Sequence, residues 1–347
     1  MAAVLQLKAR DERGASAVLV AVMMVALLGF AAVSIDVGRL YWEKAQLQNG
    51  ADAGALAVAS VCGKNETDPQ CINPNSLTSG LANANAVDGL TNVRSVIVDT
   101  VANRVVVETG ALETGTSTNR VSLWFAKVLD PSLASAEVAT AATARWGGPS
   151  SLTSLFPLAF SQCEVDSSPT FDGELQFLLS HGNGNDKKDT CHSTSSGQEL
   201  PGGFGWIDQA SGGSCEAQTT IGAWATSDTG NNLKSGCPTR LAEWKTVLQK
   251  GGKIIALLPV FDKTEGSGNN GRYRIHGYAA VDVRGWNFQS GNDYLPTDAQ
   301  KVFDDGNYKN SDLGIIGRFT RYVFDEIDGE PGTDGSPYGA NIVSLTG

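Results

Sequence analysis

The sequence predicts an α+β protein: a long N-terminal transmembrane helix that continues into a helix-plus-antiparallel-sheet unit, followed by a mostly β C-terminal domain. Three observations lead there. Residues 14–35 run for 22 positions without a charge. The segments 93–100 and 104–109 are rich in Val and Thr and are joined by a short Ala-Asn turn, the signature of a hairpin. The second half of the chain alternates short apolar runs with Gly, Asn and Ser clusters, as strands and their turns do.

The uncharged run 14–35, GASAVLVAVMMVALLGFAAVSI, reaches about 33 Å as a helix, enough for the hydrocarbon core of a bilayer. A cleaved signal peptide carries a shorter apolar region, about 7 to 15 residues, and then breaks its helix. Here the helical pattern continues. Leu40, Leu47, Ala51, Ala55 and Val58 share one face, while Glu43, Gln46 and Asp52 lie off it. One helix over about 15–60 is therefore expected, with Tyr41 and Trp42 just past the membrane boundary, a depth that aromatic rings favour. The basic residues differ little across the run, with Lys8, Arg10 and Arg13 before it and Arg39 and Lys44 after it.

The cysteines decide the orientation. All six, Cys62, Cys71, Cys163, Cys191, Cys215 and Cys237, follow the apolar run. None forms a CxxC or stands at zinc-finger spacing, so they read as disulfide candidates in an oxidising compartment. Six cysteines allow 15 connectivities; local loop closure around Pro69 points to Cys62 with Cys71 and leaves the others open. The expected topology is a cytoplasmic tail over 1–13, a plasma-membrane span over 14–35 and an extracytoplasmic bulk.

Beyond the helix, residues 36–146 read as one α+β unit. It has a helix near 77–87, the hairpin strands, a segment at 120–130 ambiguous between strand and helix, and a further strand within 134–146. A turn-rich junction at 147–151, GGPSS, separates it from a β-rich domain over 150–347. Strands are expected at 154–160, 174–180, 220–226, 253–261, 272–286, 317–324 and 340–345. One helix interrupts them after Pro238, with Leu241, Trp244 and Leu248 on one face and Gly251 as its stop. A sandwich or barrel-like domain is the expected result.

Composition excludes several classes. At 41% hydrophobic residues with 7 Trp the 347-residue chain is an ordered protein. Its 26 Lys and Arg against 37 Asp and Glu give a net charge of -11 without a basic run, so nucleic acid is not a partner. No GxSxG, HExxH or P-loop occurs, and no cofactor is implied. Two metal groupings exist on paper: His181 and His192 with Cys191, Asp186 and Asp189, and the acidic stretch 325–334 for Ca²⁺. The first is better read as a disulfide with solvated neighbours, and the second lacks the spacing of a known calcium loop. The chain is not expected to be an enzyme.

Residues 13–60 resemble the N-terminal domain of TadE/TadG-like proteins of Flp-type, or tight-adherence, pilus assembly systems. The resemblance rests on Arg13-Gly14 before the apolar run, Asp36-Val37-Gly38-Arg39 at its outer end, and Gln46-Leu47-Gln48-Asn49 followed by Ala51-Asp52-Ala53. The stretches 123–129, 258–263 and 338–343 are similar to the longer, Gly-rich actinobacterial members. The resemblance implies a pilin-like arrangement of helix on sheet, and a membrane-boundary or docking motif at Asp36, Gly38, Arg39, Gln48 and Asp52. Two features are not carried over. Pilin-like members are cut after a Gly with a Glu five residues on, where this chain has Leu19; other members carry a DxSxS metal site, absent here.

Asp36 and Arg39, three apart, are placed to pair where the helix leaves lipid. The expected function is a non-enzymatic, membrane-anchored component of a Flp-type pilus assembly or secretion system. Its expected partners are other pilus-assembly membrane proteins or pilins, membrane lipid and the cell wall. The alternative is a membrane-anchored surface module binding carbohydrate or an adhesion ligand through Trp206, Trp224 and Trp286. A hydrolase would require a cleft holding a carboxylate or His pair.

Overall fold

The computed structural model describes residues 13–346 except 167–170, 181–190, 202, 211, 229–232, 268–269, 289–290, 325–330 and 332–337. The chain opens on α1 (Arg13–Lys64), a single helix of 52 residues and therefore about 78 Å long. No Pro interrupts it. Its first half is exposed from Ser16 through Ile35 apart from half-buried Gly29 and Ala32. That half is a candidate membrane span, with a mean hydropathy of 2.8 and none of it buried. In its second half Leu47, Ala51, Ala55 and Val58 are buried and Leu40 is half-buried, the face expected from their spacing.

Two compact units are present: the described part of residues 1–54 with 75–96 and 107–142, and residues 55–74 with 97–106 and 143–347. After α1 come α2 (Pro69–Ile72), α3 (Asn75–Asn85), β1 (Thr91–Asp99), β2 (Arg104–Ala111), β3 (Arg120–Ser122), α4 (Ala126–Leu129), β4 (Ser135–Glu137) and β5 (Ala139–Gly147). The ambiguous segment 120–130 thus divides into a strand and one turn of helix.

In the first unit α3 lies against α1 because α1 has Gly50 and Gly54 where they meet. A Cβ at Gly50 would stand 3.0 Å from the Ala82 Cα, and one at Gly54 2.8 Å from the Thr78 methyl. Gly50 and Gly54 thus let α3 approach the α1 backbone closely. Leu47, Ala111, Val121 and Val138 form the core of this unit, and the Thr109 hydroxyl donates to the Leu47 carbonyl at 3.0 Å. The ribbon β3–β4 is antiparallel, with Val121 opposite Ala136.

The second unit adds β6 (Ser151–Ser154), β7 (Leu158–Ser161), α5 (Gln162–Asp166), β8 (Gln176–Leu179), β9 (Cys191–His192), β10 (Glu199–Leu200), β11 (Phe204–Trp206), β12 (Ala217–Thr220) and β13 (Trp224–Thr226). It continues with α6 (Cys237–Gln249), β14 (Ile254–Glu265), β15 (Arg272–Phe288), β16 (Asn292–Tyr294), α7 (Thr297–Asp305), β17 (Gly314–Thr320), β18 (Tyr322–Phe324) and β19 (Ala340–Leu345). The main sheet runs β11-β7-β14-β15-β17-β8. An isolated bridge from Ser180 to Phe204 links the strand at one end to the strand at the other, so the order returns on itself. All neighbours are antiparallel except β7 and β14.

Phe156, Leu158, Phe160, Phe204, Trp206, Trp244, Trp286 and Phe319 fill the core of this sheet and α6. The α6 face is the one expected, with Leu241 and Trp244 buried and Leu248 packed against the core. Gly251 ends the helix at φ +79°, a left-handed conformation that glycine adopts without strain. The helix α7 is a correction to the single-helix expectation. Its nine residues hold only Ala299, Val302 and Phe303 as apolar positions, too short a run for periodicity to distinguish.

All six cysteines are paired: Cys62–Cys71, Cys163–Cys191 and Cys215–Cys237, closing loops of 9, 28 and 22 residues. Cys215 and Cys237 are fully buried. Opening that bridge with a Cys215→Ala/Cys237→Ala double change is expected to lower stability by about 3 kcal/mol through the freed loop. For a unit of this size that is a fall of about 6–12 °C in Tm, read by thermal unfolding of the purified chain. An unchanged Tm would mean that core packing alone holds the loop.

Candidate functional site

The motif at the C-terminal end of the apolar run has a defined geometry within the first unit. Asp36 sits one residue past the uncharged stretch, and its side chain is buried at 3% exposure. Its Oδ1 accepts the Trp124 amide at 2.9 Å, and its Oδ2 accepts the amides of Phe125 at 2.9 Å and Ala126 at 2.7 Å. These are the unpaired donors at the start of α4, and a carboxylate in that position both satisfies them and faces the positive end of the helix. Burial works to raise the Asp36 pKa, but the three amides, with Arg39 nearby, overcome it and hold the carboxyl below its ordinary value.

Arg39 does not pair with Asp36, which corrects the expectation drawn from their spacing. It donates to the Ser122 carbonyl at 2.8 Å and to Glu113 at 3.1 Å, and its guanidinium lies over the Trp124 ring, 4.0 Å from the centroid. Glu113 also accepts the Ser122 amide at 2.7 Å. Burial raises the Glu113 pKa, the Ser122 amide and Arg39 lower it, and the balance lies below the ordinary value. Asp36 and Arg39 therefore act together by another route: one holds the amides of the 124–126 turn and the other its indole ring and the strand before it.

Farther along α1, Gln48 donates to Asp52 at 2.8 Å and to the Ala141 carbonyl at 3.4 Å, and it accepts the Thr140 hydroxyl. These two motif residues tie α1 to the start of β5. Gly38 is exposed, and a Cβ added to it would meet nothing within 4 Å. It lines a shallow cavity of about 360 Å³ with Arg39, Trp42, Glu43, Gln46, Val87 and Asp88. Within it burial, then Asp88 and Glu113, push the Glu43 pKa up against the pull of Arg39. The family resemblance brought Asp36, Arg39, Gln48 and Asp52 to notice, and spacing singled out the first two as a pair. Their partners Glu113, Ser122, Trp124 and Thr140 carried no local signal, since a hydrogen bond across 74 to 92 positions leaves no periodicity to read.

The charge at Asp36 makes docking of this turn depend on pH. Its carboxyl titrates lower when folded than its ordinary value of 3.8, so the stabilisation is fully present above that value and is lost as pH falls through the folded value. Urea unfolding of the wild type is expected to weaken below about pH 4, in part through this group. Asp36→Asn is expected to flatten that component, and identical pH profiles would refute the assignment.

The second unit holds a different polar cluster. Asp262, fully buried, accepts Arg274 in a two-point contact, with Nε to Oδ1 at 2.8 Å and Nη2 to Oδ2. The Ser195 hydroxyl donates to the same Oδ2 at 2.7 Å, and the His276 Nδ1 lies 3.6 Å away. Burial alone would raise the Asp262 pKa, but Arg274, Ser195 and His276 bring it below the ordinary value. Both oxygens are engaged, and among the described residues no hydrogen bond joins Ser195 to His276, so the triad geometry of nucleophile on base is not formed.

Among the described residues no three His, Cys, Asp or Glu side chains gather as metal ligands. His181, Asp186 and Asp189, and nearly all of the acidic stretch 325–334, lie outside the described residues. Cys191 is in a disulfide. Of the three tryptophans considered for ligand contact, Trp206 and Trp286 are core residues. Trp224 is partly exposed, with the Arg272 guanidinium 5.1 Å from its ring centroid.

A family model described as "Putative Flp pilus-assembly TadE/G-like" matches residues 14–61. The match covers α1 almost end to end, including the uncharged run and all five motif residues. No curated protein and no solved structure matches the chain.

Proposed function

We propose that the protein is a non-enzymatic, membrane-anchored component of a Flp-type pilus assembly system. In this reading its N-terminus is cytoplasmic, residues 14–35 span the plasma membrane and the chain after them lies outside it. The observation that carries it is the coincidence of the TadE/G-like match at 14–61 with one continuous helix whose first half is apolar and bare of protein contacts and whose second half is built into the fold. A helix apolar all round requires lipid or other membrane helices around it, and three disulfides suit an oxidising compartment.

Because Asp36 is used inside the chain, contact with other pilus-system membrane proteins falls to the exposed residues of α1 between Val18 and Val33. Crosslinking a C-terminally tagged copy in its own cell envelope, followed by mass spectrometry, tests this. Pilus-system platform proteins, ATPase-associated subunits or pilins are the expected captures. Their absence, with only wall polysaccharide fragments recovered, would favour a surface binding module instead.

A further inference from the structure

The turn that Asp36 holds is apolar on its outer side. Between β3 and β4 the chain reads LWFAKVLDPSL over 123–133, and α4 within it buries none of its residues. Trp124, Phe125, Val128, Leu129 and Leu133 are all exposed, Val128 at 77% and Leu129 at 70%. Five large apolar side chains in eleven positions make a patch that water solvates poorly and that marks a contact surface.

The depth of that patch is set by α1. The amides of residues 124–126 lie within 2.9 Å of the Asp36 carboxylate, and Asp36 directly follows the uncharged run that ends at Ile35. Arg39, one turn farther out, holds Trp124 by its ring. Wherever the outer end of the run meets the headgroups, the turn is held at the same level. Its composition suits that level: Trp and Phe rings, three exposed aliphatic residues, and Lys127 and Asp130 whose charges remain in the headgroup region. The hydrocarbon interior would not accept those charges or the turn's irregular backbone.

We propose that residues 123–133 form a second membrane contact, a shallow wedge at the boundary between headgroups and acyl chains, pinned to the spanning helix by Asp36. The occupant is lipid, and the inference rests on the reading of 14–35 as a bilayer span. Such a wedge restrains rotation of α1 about its axis, which a single span by itself does not.

An environment-sensitive nitrobenzoxadiazole label on Val128→Cys tests this in the full chain, reconstituted in phosphatidylcholine/phosphatidylglycerol vesicles carrying nitroxide lipids. The six native cysteines are paired, so a thiol reagent reaches only the introduced one. Two reference positions are Val25→Cys, in the run, and Val101→Cys, exposed between β1 and β2. The expected result is loss of emission at 128 with shallow nitroxides more than with deep ones, the reverse order at 25, and no loss at 101. Quenching at 25 with a water-like label at 128 would overturn the wedge and leave the span standing. A water-like label at 25 would overturn both. A blue-shifted but unquenched label at 128 would mean a second copy of the chain covers the patch, and would overturn lipid as its occupant.

Discussion

Asp36→Ala is expected to release the 124–126 turn from α1 and to cost roughly 3–5 kcal/mol of its local stability, because three amide donors lose a charged acceptor at once. The change removes no apolar contact of note, so the loss is confined to the polar pin. Hydrogen exchange of the Trp124, Phe125 and Ala126 amides reads it directly, and faster exchange there with little change in the β14–β15 ladder is the expected pattern. Asp36→Asn, which retains one acceptor oxygen of the same shape, is expected to fall between the two. Equal protection in all three proteins would mean that Arg39 stacked on Trp124 and bonded to Ser122 suffices.

Asp262→Ala is expected to destabilise the second unit by roughly 3–5 kcal/mol, since it leaves Arg274 facing a buried site without its carboxylate. The measurable outcome is a Tm lower by about 6–20 °C. Removing both partners tests the cause. Asp262→Ala with Arg274→Met deletes the unmatched charge and is expected to recover much of the loss, as buried ion pairs replaced by apolar groups often do. A double variant as unstable as the single one would show that the Ser195 and His276 contacts, not the Arg274 pairing, hold β14 and β15 in register.

Much of the architecture was legible in the sequence because it follows from local periodicity. The apolar run is long enough to span, no Pro interrupts it, and the spacing of Leu47, Ala51, Ala55 and Val58 continues the helix beyond it. The strands 254–265 and 272–288 announce themselves by length and Val, Ile and aromatic content. The short α7 was missed because two turns of helix with three apolar residues resemble a loop. The same limit applied to the candidate site. The sequence singled out Asp36 and Arg39 by their place at the end of the uncharged run, but their spacing led to the wrong pairing.

By itself, then, the sequence determined the long helix, its uncharged first half and the β-rich second half, since each is a property of neighbouring residues. Only the tertiary structure decided which thiols meet, that Asp36 holds the amides of 124–126 while Arg39 takes Glu113, and that the apolar side chains from Trp124 to Leu133 are left exposed. Those contacts join positions tens of residues apart, and nothing local distinguishes one distant partner from another. The choice among them falls to packing, which must leave as few buried polar groups as possible without a partner.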